Sequence, residues 1–299
     1  MTGLIDFDSI LYRSVYKIVG YAEIKKALIE LGKEEARNWL YQTVLQEGIN
    51  RAENILLDMQ NHIQSIFKTE ITCWEIYITT CSNNFRKKIT KDYKANRKKN
   101  NYVWMLRNHY MHNGAFHSET LEADDLIANR VEELGRDNSI IISIDKDMKT
   151  VGGYYWSYMK GKQKDENGKY IVINPETGEI IDLSQKDYKL IRDENKNYNV
   201  YCLDELIAEN VMFQTGYLQD EVLFINEKQA KFNFYSQMLI GDTSDNIKGI
   251  NGIGMVKAKR LLESSSNYFI ATAREYLKRG LKEQFIINTE LLKIGRNEN

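Results

Sequence analysis

A mainly parallel α/β fold, with helices flanking one central sheet, is the class this sequence predicts, on three observations. Short β-type runs are separated by long stretches of helical periodicity. That alternation of strand and helix favours a parallel sheet. Acidic residues then recur just beyond the strand-like runs, where the carboxyl ends of parallel strands share one ligand-binding edge.

The elements follow in order. GLIDF, near the N-terminus, reads as a short buried strand, and helical periodicity runs from about Ala22 to Phe67. TCWEIYIT is β-branched and aromatic, a second strand. Asn101 to Asn113 reads as a helix; Ser118 or Thr120 can cap a further one, LEADDLIANRVEELG, which ends at Gly135. SIIISI, Ser139 to Ile144, is the clearest buried strand in the chain. From Gly152 to about Asn199 the character changes: KYIVINPETGEIIDL holds the only proline between two β-like runs and reads as a hairpin. The segment 152–200 is therefore expected as an insertion in a single domain spanning 1–299, with helices resuming near Leu203.

With 299 residues, 42% apolar and 28% charged, the chain reads as a globular protein with a sizeable core. The net charge of −1 announces no partner, but Arg86 to Lys99, RKKITKDYKANRKK, carries eight Lys/Arg against one Asp. Cys73, Cys81 and Cys202 are far apart and without CxxC spacing, which fits a reducing cytosol and leaves no disulfide framework or zinc site. MTGLIDFDSILYR has acids where a signal peptide needs a basic, then apolar, leader, and no run approaches the roughly 18 apolar residues of a membrane span. A cytoplasmic monomer is the expectation.

The chemistry is carried by acids. Asp6 and Asp8 end the first strand; Glu122, Asp124 and Asp125 open a helix. Asp145 and Asp147 follow SIIISI; Asp242 and Asp245 precede a glycine-rich stretch. Acids in a first helical turn are favoured by the helix dipole alone, and acids after strands are ordinary loop residues. Four such clusters in this order point further, to carboxylates converging on one crevice. Converging carboxylates repel unless a cation lies between them, and hard oxygen donors without His or Cys select Mg²⁺ or Mn²⁺. Two such ions can clamp the attacking and leaving oxygens of a phosphodiester.

The basic run offers phosphate contacts that need no base sequence, and Tyr93 within it offers a ring for an unpaired base. A solvated helix face is the commoner fate of a charge run, but eight cations with one acid compensate each other poorly. In IGDTSDNIKGINGIGMVKAKRLL, Gly249, Gly252 and Gly254 can turn main-chain N–H groups to a phosphate at a helix start, with Lys257, Lys259 and Arg260 on that helix. Glycine serves a tight helix–turn–helix joint equally well. The spacing His109, His112, His117 lacks the cysteine or acid that would complete a zinc site.

LIDFDSILYR, DYKANRKK, LEADDLIA, SIDKDMKTV and GDTSDNIKGINGIG resemble, in that order, the successive motifs of the flap endonuclease/5′→3′ exonuclease family. The wording of DFD, YKANRK and DKDMKT is most similar to stand-alone bacteriophage replication exonucleases. The resemblance runs from about Leu4 to Leu262 with a gap at the insertion. It implies a PIN-like nuclease core acting on DNA with 5′ ends or flaps, with RNA–DNA hybrid as an extension. Asp6, Glu122 and Asp124 would match the tighter metal site; Asp125, Asp145, Asp147, Asp242 and Asp245 would complete a two-ion Mg²⁺ or Mn²⁺ cluster, with Asp8 as an assistant. Lys94 and Arg97 would approach the scissile phosphate from a helical arch at 82–113. A helix–three-turn–helix element at 232–265 would grip the duplex backbone through Gly252, Gly254 and Lys257, with K⁺ held by loop carbonyls. One departure stands out. The family usually has an acid at the end of the second strand, where this chain has Thr79, Thr80 and Cys81.

Overall fold

The computed structural model describes residues 1–16, 18–97, 100–158 and 221–295, together with four short strands between the last two ranges. It divides into a larger unit, Met1–Trp156 with Asp220–Asn299, and a smaller one, Ser157–Gln219.

In the larger unit, β1 (Thr2–Asp6) leads into α1 (Asp8–Ser14), α2 (Tyr21–Leu31) and the long α3 (Lys33–Ile66). The single periodic stretch of the sequence is broken at Gly32, whose φ of +78° ends one helix and starts the next. Then come β2 (Cys73–Tyr77), α4 (Phe85–Ile89), α5 (Asn101–His112), α6 (Ala123–Leu134), β3 (Ser139–Ile142) and β4 (Gly153–Trp156). In the smaller unit β5 (Val172–Ile173) pairs antiparallel with β6 (Ile180–Ile181), and β7 (Tyr188–Arg192) with β8 (Tyr198–Cys202). The helices expected near Leu203 lie outside the described residues. The chain returns as β9 (Leu223–Ile225), α7 (Glu227–Ile240), the two-residue strands β10 (Gly241–Asp242) and β11 (Ile247–Lys248), then α8 (Met255–Glu263), α9 (Tyr268–Leu277) and α10 (Lys282–Leu292).

The central sheet has the order β2-β1-β3-β4-β9. Its first three pairings are parallel and the last, β4 with β9, is antiparallel. Register sets Asp6 opposite Tyr77 and Ile5 opposite Ile142, so β1, β2 and β3 finish at one edge. The segment apart from the core thus begins at Ser157 rather than 152, because Gly153–Trp156 hydrogen-bonds to β3. β9 was not read from the sequence; three residues carry too little periodicity.

One sheet face packs Leu4, Tyr77, Ile141 and Tyr155 against Ile127 and Val131 of α6. The residues Phe7, Ile10, Leu11, Ile63 and Leu106 are buried among α1, α3 and α5. Gly48 lets α5 approach α3 closely: a Cβ there would lie 2.9 Å from Leu106 Cδ1. A separate cluster of Met238, Leu239, Ile253, Leu262, Tyr276 and Leu292 unites α7 to α10. Among the described residues no helix is long and apolar enough to cross a membrane.

Candidate metal and phosphate site

Asp6, Asp124 and Asp145 lie near one another at the carboxyl edge of the sheet, and local hydrogen bonds hold Asp6 and Asp145 there. Asp6 ends β1 almost fully buried. One of its oxygens accepts from the Ser143 hydroxyl at 2.7 Å, and that hydroxyl in turn accepts from the Asp145 N–H at 2.9 Å. A serine just past β3 thereby ties the ends of two neighbouring strands together. Asp145 caps the following turn by accepting from the Asp147 N–H at 2.9 Å. Asp124 enters from the first turn of α6, close enough that the charges of Asp6 and Asp145 both act on it.

The acids fall into two classes. Six have cations of the chain itself, Asp8 and Asp125 among them. Glu122 receives the Lys94 ammonium on both oxygens at 2.8 Å, and Lys94 also reaches Asp245 at 3.7 Å. Arg97 pairs with Asp245 at 2.5 Å. Lys146 bridges Asp147 at 3.2 Å and Asp242 at 2.9 Å. Among the described residues, Asp6, Asp124 and Asp145 have no such ion pair.

Their acidities record the difference. Burial first, then the charges of Asp8 and Asp145, push Asp6 up to about 7 against the donation from Ser143. Asp124 is raised well above the usual carboxylate range by burial and by Asp6 and Asp145. Burial and Asp145 likewise push Asp147 up to about 6. Asp242 goes the other way, to about 2, because donation from Ser244 and Lys146 outweighs its burial. Glu122 is lowered for the same reason, with Lys94 and Arg86 overcoming desolvation. Lys94 is raised: burial opposes its charge, but Glu122 and Asp245 prevail.

A raised carboxyl binds its proton more tightly folded than unfolded, so its ionisation costs stability as pH climbs from the unfolded value through the folded one. With chelator present, the thermal midpoint should decline between about pH 4 and about pH 7, and Asp6→Asn should flatten that decline. Calorimetry across the range checks it; a flat wild-type profile would show that the Asp6 carboxyl is not raised.

Asp125 is corrected by the structure. It was expected among the metal ligands, but it is fully buried and gripped by Arg86 through both oxygens, at 2.6 and 2.8 Å. It also accepts from the Glu122 N–H at 3.2 Å, forming a capping box. Glu122 is thus the N-cap of α6, not Ser118 or Thr120. Arg86 continues to the Leu291 and Lys293 carbonyls, at 2.8 and 3.0 Å, fastening the C-terminal helix beneath the site.

Tyr93 is corrected as well. Its ring was expected to stack on a base, yet only 3% of the residue is exposed, and the ring lies in the cluster of Met238, Ile247 and Leu262. Its hydroxyl donates toward Glu122 at 2.8 Å, with Asp245 at 3.2 Å, and its ring lies 5.0 Å from the Lys94 ammonium. A ring flanked by apolar residues on a helical cluster is worth more buried than exposed. Lys94 has φ +53°, and its N–H is held by the Asp245 carbonyl at 3.1 Å.

Beside Thr79–Cys81, where the expected acid is absent, lies Asp8, the first residue of α1. Both its oxygens accept from the Thr79 N–H at 3.3 Å, so a carboxylate does stand just past the end of β2. Arg107 of α5 pairs with it at 2.9 Å. Sequence reasoning passed over Ser143, Lys146, Arg107 and Asn84, whose amide donates to Glu122 at 2.9 Å. Only Lys146, sitting between Asp145 and Asp147, carried a signal that could have been read.

The glycine stretch divides its labour. Gly241 (φ +79°) and Gly249 press backbone on backbone across β10 and β11, where any Cβ would collide with main-chain atoms. Gly249 is therefore a packing joint that fixes Asp242 beside β11. Gly252 (φ +77°) and Gly254 are exposed, with open space where a Cβ would stand, at the start of α8. Lys257 is exposed and donates to the Gly252 carbonyl at 3.4 Å. The Lys248 and Gly249 carbonyls accept from Gln284 at 2.7 and 3.2 Å, and Asn288 adds a bond to Lys248 at 2.8 Å. A K⁺ at this loop would compete with those partners.

No family model matches the chain, and no curated protein matches it either. Solved structures do. The chain is similar to a bacteriophage T5 5′-exonuclease with bound divalent metal ions (zinc), at 14% identity and TM-score 0.48, covering 98% of this chain and 88% of that one. It is similar also to a bacteriophage T5 flap endonuclease in a pseudo-enzyme-product complex with DNA and metal ions, at 13% identity and TM-score 0.48, covering 97% and 88%.

Among the described residues no three His, Cys, Asp or Glu side chains are already gathered as ligands. The donor set nonetheless fits a hard cation. Asp6, Asp124 and Asp145 offer only carboxylate oxygens, repel one another and form no ion pair among the described residues; the Lys94 charge eases Asp124 but is outweighed, which is the charge deficit a divalent ion corrects.

Proposed function

We propose that the chain is a metal-dependent nuclease that hydrolyses DNA phosphodiesters from 5′ ends, a 5′→3′ exonuclease with flap endonuclease character. The observation that carries this reading is the trio Asp6, Asp124 and Asp145 at the carboxyl edge of the sheet, which form no ion pair among the described residues and lie near enough to Lys94 for its charge to act on Asp124. The order of the five sequence motifs supports it.

Asp6, Asp124 and Asp145 would hold Mg²⁺ or Mn²⁺, which when bound lowers the pKa of a water and polarises the phosphate. The expected second ion falls to Asp147, Asp242 and Asp245. Lys94 and Arg97 are the groups that meet the phosphate. Both rest on carboxylates, and both can present charge-assisted donors to a phosphate oxygen. Tyr93 packs beneath Lys94 and sets its position instead of stacking on a base. Gly252, Gly254 and Lys257 supply a second hold on the DNA backbone at the start of α8. These contacts read charge and backbone, so base sequence is irrelevant, and an RNA strand in a hybrid is tolerated because no residue here is assigned to the sugar 2′ position.

The test is a 5′-labelled duplex incubated with the purified protein in Mg²⁺ or Mn²⁺. Release of label that stops on chelation is expected. Binding without release in either metal would instead identify a DNA-structure-binding protein that has lost catalysis, and cleavage confined to RNA would identify a ribonuclease.

A further inference from the structure

The second carboxylate group carries its own cation. Lys146 lies in the turn between Asp145 and Asp147, and its ammonium sits 3.2 Å from Asp147 Oδ1 and 2.9 Å from Asp242 Oδ2. Other donors also reach these carboxylates. Asp242 Oδ1 accepts from the Ser244 N–H at 2.8 Å, from the Ser244 hydroxyl at 2.6 Å and from the Asp245 N–H at 3.3 Å. The Gln237 amide donates to the same oxygen of Asp147 that meets Lys146. Asp245 is held by Arg97. Every acid that would receive a second divalent ion is already paired, whereas Asp6, Asp124 and Asp145 are not.

We infer that Lys146 is the resident counter-ion of the Asp147–Asp242 pair, so that the protein alone binds one divalent ion tightly and admits a second only when this side chain swings out. The ammonium has room to do so: 68% of the side chain is exposed. A phosphate entering with its own divalent ion would give the displaced ammonium a new anionic partner. The second ion then arrives with the substrate and not before it. This inference rests on the nuclease reading above.

The test is a Mn²⁺ titration of the full chain without DNA, following free Mn²⁺ by electron paramagnetic resonance. One tight ion is expected in the wild type, and two in Lys146→Ala. The gain in second-ion affinity should be on the order of tenfold or more, the range over which a neighbouring opposite charge shifts a carboxylate's affinity for a proton. Lys146→Arg, which keeps the charge, should still bind one. The turn is capped by Asp145, and Lys146 is mostly exposed, so folding is not at risk. Two ions of similar affinity in the wild type, or no gain in Lys146→Ala, would overturn the role of Lys146 and leave the nuclease reading standing. No bound ion in either protein would remove both.

Discussion

Asp145→Ala should abolish cleavage while leaving DNA affinity nearly unchanged. Asp145 is the acid whose charge acts on Asp6, Asp124 and Asp147 together, so it joins both halves of the site. Losing one group that stabilises transition-state charge costs about 100- to 1,000-fold in rate, and losing a metal ligand should cost at least that. The basic turn and the glycine loop, which grip the DNA, do not depend on Asp145. Because Asp145 also caps the turn at Lys146–Thr150, Asp145→Asn is the companion variant: it keeps an acceptor for the Asp147 N–H but removes the charge. Label release and a binding titration on the same duplex decide the matter. Full activity in Asp145→Asn would remove this residue from the site.

Arg86→Ala should destabilise the fold by about 3–5 kcal/mol, the cost of leaving one partner of a buried pair alone. The Arg86 side chain is 3% exposed and its partner Asp125 is 0% exposed. The substitution also strands the Leu291 and Lys293 carbonyls and leaves Asp125 as an unpaired charge against α6. Urea denaturation measures the loss. The double variant Arg86→Met with Asp125→Leu should recover much of it, since apolar replacement of both partners relieves the buried charge. A loss below about 1 kcal/mol in the single variant would put this pair in the range of exposed ion pairs. Recovery of stability without recovery of activity would assign the pair to orienting Glu122.

Much of this architecture could be read from residue order. GLIDF and SIIISI became β1 and β3, because a strand buried on both faces is largely apolar along its length; TCWEIYIT became the half-buried edge strand β2, legible from its β-branched and aromatic residues. The placement of acids after those strands was legible for the same reason, since a parallel sheet brings its carboxyl ends to one edge. α1 and β9 were not legible, being too short for periodicity to register.

Within the site, the sequence determined which residue types meet: hard oxygen donors, a basic turn and a glycine-led helix start, all set by strand ends and motif spacing. Pairing was decided only by tertiary structure. Asp124 and Asp125 are neighbours in the chain, yet the turn of α6 aims one at Asp6 and Asp145 and the other into Arg86. Tyr93 and Lys94 are likewise adjacent, one in the core and the other on Glu122. Whether a carboxylate is left for a metal depends on which cation lies within about 4 Å of it, because Coulomb attraction and desolvation both change steeply over that distance. No linear spacing encodes that distance; the packing of α4, α6 and α7 around the sheet edge sets it.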